Sequence, residues 1–215
     1  MMLPITKSNK LALLYGILLG DGCLSKIEPK YYFISIVGNI KDDYPFLKDV
    51  VKTNLKHFVK NKIIIKKRIK QRKLEIQFTN KQFFNKLHEV GFPIGKKGTE
   101  LSIPHVFNNK NMKHIIQGYF ATDGCLVITN NNGIIYPRIE LSSISKPLLS
   151  QVMIYLKYIG MKGNLYISHK YPSKAWNTLY RIQFNGRTNL QIFIDKIGFI
   201  NPKHTKKYKN AGLEI

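Results

Sequence analysis

Apolar residues cluster in two stretches with helical character, Leu11–Leu19 and Ile115–Ala121. Each runs into the same short motif. Leu13–Ser25 reads LLYGILLGDGCLS and Gln117–Val127 reads QGYFATDGCLV, which share Gly-x-x-x-(Gly/Thr)-Asp-Gly-Cys-Leu. The two acids, Asp21 and Asp123, are 102 residues apart, so the chain reads as a duplication.

The pattern downstream repeats as well. Extended, aromatic and β-branched stretches follow the motifs at Tyr31–Val37 and Ile134–Ser142. Helical stretches come next, Tyr44–Val59 and Lys146–Ile159, the second with Ser145 as N-cap and Pro147 in the first turn. Strand pairs are expected at Lys62–Arg68 with Lys73–Thr79, and at Asn164–Tyr171 with Thr178–Phe184. LEIQF (Leu74–Phe78) and YRIQF (Tyr180–Phe184) put Gln77 and Gln183 in register. A last helix closes each half, leaving through Gly91-Phe92 and Gly198-Phe199. The expected fold is α+β, two pseudo-symmetric αββαββα halves with antiparallel sheets, divided at residues 1–107 and 108–215.

Charge narrows the function. The net charge is +23, split into +12 over residues 1–107 (20 basic, 8 acidic) and +11 over 108–215 (15 basic, 4 acidic). A basic tail would load one end only, so both halves are expected to face a polyanion. The longest apolar run, Leu11–Gly20, is about half of the roughly 20 residues that span a bilayer, and Met1–Lys10 lacks signal-peptide character. Nucleic acid is therefore the expected partner, and a membrane is not. Cys23 and Cys125, with no His near them in sequence, do not make a zinc site and are expected as small buried residues of a reducing compartment. A cytoplasmic or nucleoid location, or an organelle matrix or stroma, suits this composition; a secreted location does not.

The stretch Lys62–Lys73 alternates. Lys62, Lys66, Arg68, Lys70 and Arg72 fall on even positions, and Ile63, Ile65 and Ile69 on odd ones. Period 2 makes one face cationic and the other core. A two-stranded ribbon of this kind fits the DNA major groove, where Arg, Lys and Gln reach base edges. In the second half Arg138, Glu140 and Ser142 share a face, as do Leu179, Arg181 and Gln183. The candidate DNA-binding residues are Lys66, Arg68, Lys70, Arg72, Gln77, Arg138, Glu140, Arg181, Gln183 and Arg187.

An acid in the last turn of a helix opposes the helix dipole, and here it does so twice. A cation that offsets the cost is the expected partner. Gly22 and Gly124 suit a left-handed residue closing each helix. Gly16 and Gly20, with counterparts Gly118 and Thr122, are small residues that let two helix backbones approach. Helices packed through them about a pseudo-twofold axis would deliver Asp21 and Asp123 together. Two carboxylates and the main-chain carbonyls of Gly20 and Thr122 form a hard oxygen site for Mg²⁺ or Mn²⁺, suited to phosphodiester hydrolysis.

At LLYGILLGDG (Leu13–Gly22) and IQGYFATDG (Ile116–Gly124) the chain resembles the LAGLIDADG homing endonucleases, and the likeness extends over the repeat units on either side. The resemblance implies a monomer of two halves, with paired motif helices at their interface and sheets forming a saddle over a long, partly asymmetric double-stranded DNA site. It implies that Asp21 and Asp123 bind catalytic Mg²⁺ and position water, and that both strands are cut across the minor groove, leaving short 3′ overhangs. By the same resemblance Lys96 and Lys203, set identically after the Gly-Phe exits, belong to a catalytic water network, with Asn39 and Ser143 as polar members. Some members of that family have become RNA maturases and related folds act as DNA-binding regulators, readings that loss of one or both acids would favour. With both acids present, the expected function is a site-specific, intron-encoded endonuclease; an RNA-binding splicing cofactor is the alternative. The chain begins with Met and ends NAGLEI without protein-splicing ends, so a free-standing enzyme is expected.

Overall fold

The computed structural model describes residues 7–27, 30–170 and 176–213. Helix α1 (Lys7–Asp21) leads directly into β1 (Gly22–Ile27), then β2 (Tyr31–Asn39). A π-helical turn, Phe46–Val51, continues into α2 (Lys52–Leu55), followed by β3 (Ile65–Arg68), β4 (Lys73–Thr79) and α3 (Lys81–Glu89). The second half repeats the order with α4 (Asn109–Asp123), β5 (Gly124–Asn131), β6 (Ile134–Ser143), α5 (Lys146–Tyr158), β7 (Gly163–His169), β8 (Leu179–Asn185) and α6 (Gly186–Lys196), and adds α7 (Pro202–Asn210). The sheets are antiparallel, ordered β1-β2-β4-β3 and β5-β6-β8-β7, so the expected α+β fold is the observed one.

Local chemistry sets the boundaries. Asn80 caps α3 by accepting from the Phe83 amide at 2.8 Å, and Ser145 caps α5 by accepting from Leu148 at 3.2 Å. Asn132 and Gly133, both at positive φ, form the two-residue hairpin between β5 and β6. Gly91 (φ 94°) and Gly198 (φ 83°) are the expected left-handed helix exits.

Contacts group the chain into two compact units. One runs as far as Lys97 and includes Pro104–Thr122 and Ile200–Lys203; the other comprises Gly98–Ile103, Asp123–Phe199 and the chain from His204. In the first unit Leu24, Ile34, Ile36, Leu74, Ile76 and Phe78 form the inner sheet face, with Phe83, Phe84 and Leu87 of α3 and Leu47, Val51 and Leu55 also buried. In the second, Leu126, Ile139, Leu141, Ile182 and Phe184 are buried with α5 and α6 residues including Leu149, Val152, Leu190 and Phe193.

The first unit also contains a close helix packing. Helices α1 and α4 touch backbone to backbone: a Cβ added to Gly16 would fall on the Ile115 carbonyl, and one added to Gly118 on the Leu13 carbonyl. Asn111 near the start of α4 donates to Ser8 Oγ at 3.3 Å and Asn9 Oδ1 at 3.1 Å near the start of α1, so the helices run parallel.

Several expectations are corrected. Gly22 and Gly124 are not left-handed caps; they open β1 and β5, and Gly22 is required because a Cβ would strike Leu18. The alternating stretch Lys62–Lys73 is a strand only over Ile65–Arg68. Ile69–Gln71 then turn as a 3-10 helix and Arg72 adopts φ 50°, so Lys70 and Arg72 sit in a connection and Ile69 is 75% exposed, not core. The helix expected over Tyr44–Val59 starts at Tyr44 as expected, passes through the π turn Phe46–Val51 and ends at Leu55. Cys23 is only half-buried and Cys125 exposed, because both lie on the polar sheet faces; both are free thiols. Strand β7 ends at His169; Tyr171, the expected end, lies outside the described residues, as do Glu214 and Ile215 of the NAGLEI terminus.

The helix crossing makes a direct prediction. Gly118→Ala forces a methyl into backbone and is expected to destabilise by about 1–3 kcal/mol or more. Gly98→Ala, where no atom lies within 4 Å, serves as control and should leave the urea midpoint nearly unchanged.

Candidate functional site

Asp21 is the last residue of α1 and Asp123 the last of α4, each five residues beyond the glycine of the crossing. Asp21 is half-buried and Asp123 exposed. Neither helix has a basic residue in its last turn, so each dipole end must be met from elsewhere. At α1 the partner is Lys97. Its ammonium donates to the carbonyls of Leu18 at 3.1 Å, Leu19 at 2.8 Å and Gly20. These are carbonyls that a helix terminus leaves without intrahelical donors. Thr122, the counterpart of Gly20, turns its hydroxyl back to the Tyr119 carbonyl at 2.9 Å.

The end of α4 is met differently. Asn201, fully buried, donates from Nδ2 to the Ala121 carbonyl at 2.8 Å and to Asp43 Oδ1 at 2.9 Å. Asp43, itself buried, also accepts from the Asn39 amide at 2.8 Å and pairs with Lys203 Nζ at 3.1 Å. Burial pushes the Asp43 carboxyl upward, but the bonds from Asn201 and Asn39 and the Lys203 charge outweigh it, holding it below the ordinary carboxylate value. In the second unit, His204 Nε2 lies 3.1 Å from the Gly124 carbonyl.

The other expected water-network residues are placed as follows. Lys96 is exposed, and it is the adjacent Lys97 that reaches the motif helix. Asn39 Oδ1 accepts from the Lys41 amide at 2.8 Å, and Ser143 Oγ accepts from the Ser145 amide at 3.0 Å, so both shape their own turns. Lys97, Asn201 and Asp43 were not singled out by sequence reasoning. The available signal was the repeat itself: the Gly-Phe exits align Lys97 with His204, two positions that both reach a motif terminus.

The polar sheet faces carry the candidate DNA-binding residues. In the first sheet Lys66 pairs in register with Glu75, and Arg68 with Lys73, beside exposed Gln77. Glu75 accepts from Arg68 at 3.2 Å and Lys73 at 3.1 Å; burial raises its carboxyl, yet these partners hold it below the ordinary value. In the second sheet Glu140, buried, pairs with Arg138 at 3.5 Å and Arg181 at 3.4 Å, and Arg181 also donates to Ser142 at 3.2 Å. Gln183 is fixed by the Tyr166 hydroxyl and by Asn185, each at 2.6 Å. Lys70 and Arg72 project from the β3–β4 connection, and Arg187 is exposed near the start of α6.

Among the described residues no three His, Cys, Asp or Glu side chains converge as a ready metal cage, and no helix is long and apolar enough to cross a membrane. A metal here would draw on few carboxylates and on main-chain carbonyls, which is the donor chemistry at the ends of α1 and α4.

Comparisons with known proteins agree with this architecture. Residues 111–198 match the model of the LAGLIDADG-like domain. The homing endonuclease I-DmoI, solved in complex with DNA and Ca, superposes with a TM-score of 0.65 at 18% identity, covering 89% of this chain and 90% of that one. The LAGLIDADG meganuclease I-AabMI, bound to uncleaved DNA, superposes at 0.55 with 16% identity, covering 90% and 86%. I-DmoI has also been solved with DNA and Mn, at a TM-score of 0.64 and 19% identity over 90% and 98% of the two chains. In sequence, 202 residues are 27% identical to the replication factor C small subunit of Methanocaldococcus jannaschii, covering 93% of this chain but only 10% of that protein's length. With two acid-tipped motif helices, paired four-stranded sheets and a LAGLIDADG-like domain in its second half, the chain is a two-motif protein of the LAGLIDADG homing-endonuclease fold.

Proposed function

We propose that the protein is a monomeric, site-specific endonuclease that hydrolyses both strands of a long, partly asymmetric double-stranded DNA target, as an intron-encoded homing enzyme. The observation that carries this reading is the parallel, backbone-close crossing of α1 and α4 with an acid at the end of each. The polar, cationic sheet faces add the surface that a polyanion needs.

The donor set suits a hard divalent cation. Asp21 and Asp123, with the Gly20 and Thr122 carbonyls, would hold Mg²⁺ or Mn²⁺, completed by DNA phosphate oxygens. Lys97 already donates to the Gly20 carbonyl, so its ammonium must share or yield that oxygen when a divalent cation binds. When bound, such ions supply activation of water and stabilisation of the leaving oxygen. Each acid serves one strand. Lys97 keeps positive charge at the end of α1, where the phosphate must approach.

The basic residues divide by how they are held. Arg138 and Arg181, braced against Glu140, are pre-oriented for base edges, as is Gln183, fixed on both sides. Lys66, Lys70, Arg72 and Arg187 are exposed and act as phosphate anchors. Arg68, Gln77 and Glu75 provide the corresponding polar face in the first half.

Two outcomes are expected. A plasmid carrying the uninterrupted host locus is linearised with Mg²⁺ and not with EDTA. Asp21→Asn and Asp123→Asn each abolish linearisation while DNA binding persists; full cutting by both variants removes the metal assignment. Tight intron-RNA binding without DNA cleavage in any divalent metal would indicate the splicing-cofactor role instead. Separately, Arg72→Ala should lower the slope of log affinity against log salt by about 1 for every sequence. Arg181→Ala should cost about 1–3 kcal/mol on the preferred target and much less on others.

A further inference from the structure

Asp43 and Asn201 are buried, come from distant parts of the sequence and meet within the first unit. Asn201 uses every polar atom of its amide: Nδ2 on Asp43 Oδ1 and on the Ala121 carbonyl, Oδ1 on the Lys203 amide at 3.2 Å. Asp43 is equally constrained. It sits against Gly38, where an added Cβ would lie 3.0 Å from the Asp43 Cβ, and it carries the Lys203 ion pair. Ala121 is two residues before Asp123 on the same helix, and its carbonyl is one that the terminus of α4 leaves open.

We propose that Asp43 and Asn201 are positioning residues for the second motif: the carboxylate fixes the amide, the amide fixes the Ala121 carbonyl, and the last turn of α4 is thereby held where Thr122 and Asp123 present oxygen to a divalent cation. Lys203 is the counter-ion of this pair. This rests on the proposed metal-dependent cleavage. Removing a group that orients metal ligands costs about 10–100-fold in metal affinity or activity. At α1 the comparable contact is made by Lys97, so loss of the pair acts on one acid and not on both.

The test uses the full-length protein with supercoiled plasmid and Asn201→Ala, Asp43→Asn and Asn201→Ala/Asp43→Asn. The expected result is accumulation of nicked circle, one strand slowed at least about 10-fold more than the other. In parallel, Ca²⁺ titrated calorimetrically into the protein–DNA complex should show a matching rise in one midpoint, with the double variant no worse than the poorer single one. Equal slowing of both strands with unchanged Ca²⁺ midpoints overturns the proposal, as do additive effects in the double variant. If Asn201→Ala does not fold, Asp43→Asn gives the same readouts alone. If the unmodified protein cuts no DNA in any divalent metal, the cleavage reading fails, and the Ca²⁺ midpoints alone decide whether the pair positions a cation site.

Discussion

The contact on which the rest depends is the meeting of two helix backbones at Gly16 and Gly118. Helices separated by ordinary side chains pack 8–10 Å apart. Removing both Cβ atoms at the crossing lets main-chain atoms touch, and the parallel run is secured at its start by Asn111 on Ser8 and Asn9. The carboxyl ends of α1 and α4 therefore run in the same direction a few residues beyond the tightest point. The two acids end these helices, and β1 and β5 begin with the next residue. A strand that starts without a loop inherits the orientation of its helix, so β1 continues directly from the end of α1.

The duplication made most of this legible in the sequence. Two matched motifs, matched strand pairs and matched Gly-Phe exits defined the αββαββα order, and alternation separated core from polar faces along β4, β6 and β8. The failures are physical ones. Lys62–Lys73 kept its alternation through Arg72, but alternation records only which residues are apolar. It could not register that the chain turns at Ile69 and leaves that isoleucine exposed. Gly22 and Gly124 looked like left-handed caps because Gly follows the helix; the actual demand at Gly22 is space beside Leu18, which no local pattern reveals. Lys97 and Asn201 were missed because their partners are main-chain carbonyls 77 and 80 residues away, and a carbonyl has no residue type to recognise.

The sheets show why a basic surface contains buried acids. Glu75 and Glu140 each gather two cationic side chains on the polar face. Half of the local charge is cancelled by this, which weakens general attraction to phosphate. In exchange, long side chains that would lose rotamer freedom on binding are ordered beforehand, and planar guanidinium groups are held in one orientation. Sequence discrimination depends on that orientation, whereas non-specific affinity depends on the number of mobile charges. Lys70 and Arg72 of the β3–β4 connection, both exposed, would supply the second property in the proposed DNA-binding role.

Duplication of the motif did not duplicate its electrostatics. The end of α1 receives a full positive charge directly on its carbonyls, from Lys97. The end of α4 receives a neutral amide, and the charges behind that amide, Asp43 and Lys203, oppose one another at 3.1 Å. The α1 carbonyls are thus shared with an ammonium, while the Ala121 carbonyl accepts from an uncharged amide. The repeat is one of element order and not of the donors at its helix ends. Matched helix ends are therefore met by unlike donors, and the difference arises from segments outside either motif, at Lys97 and at Asn201-Pro202-Lys203.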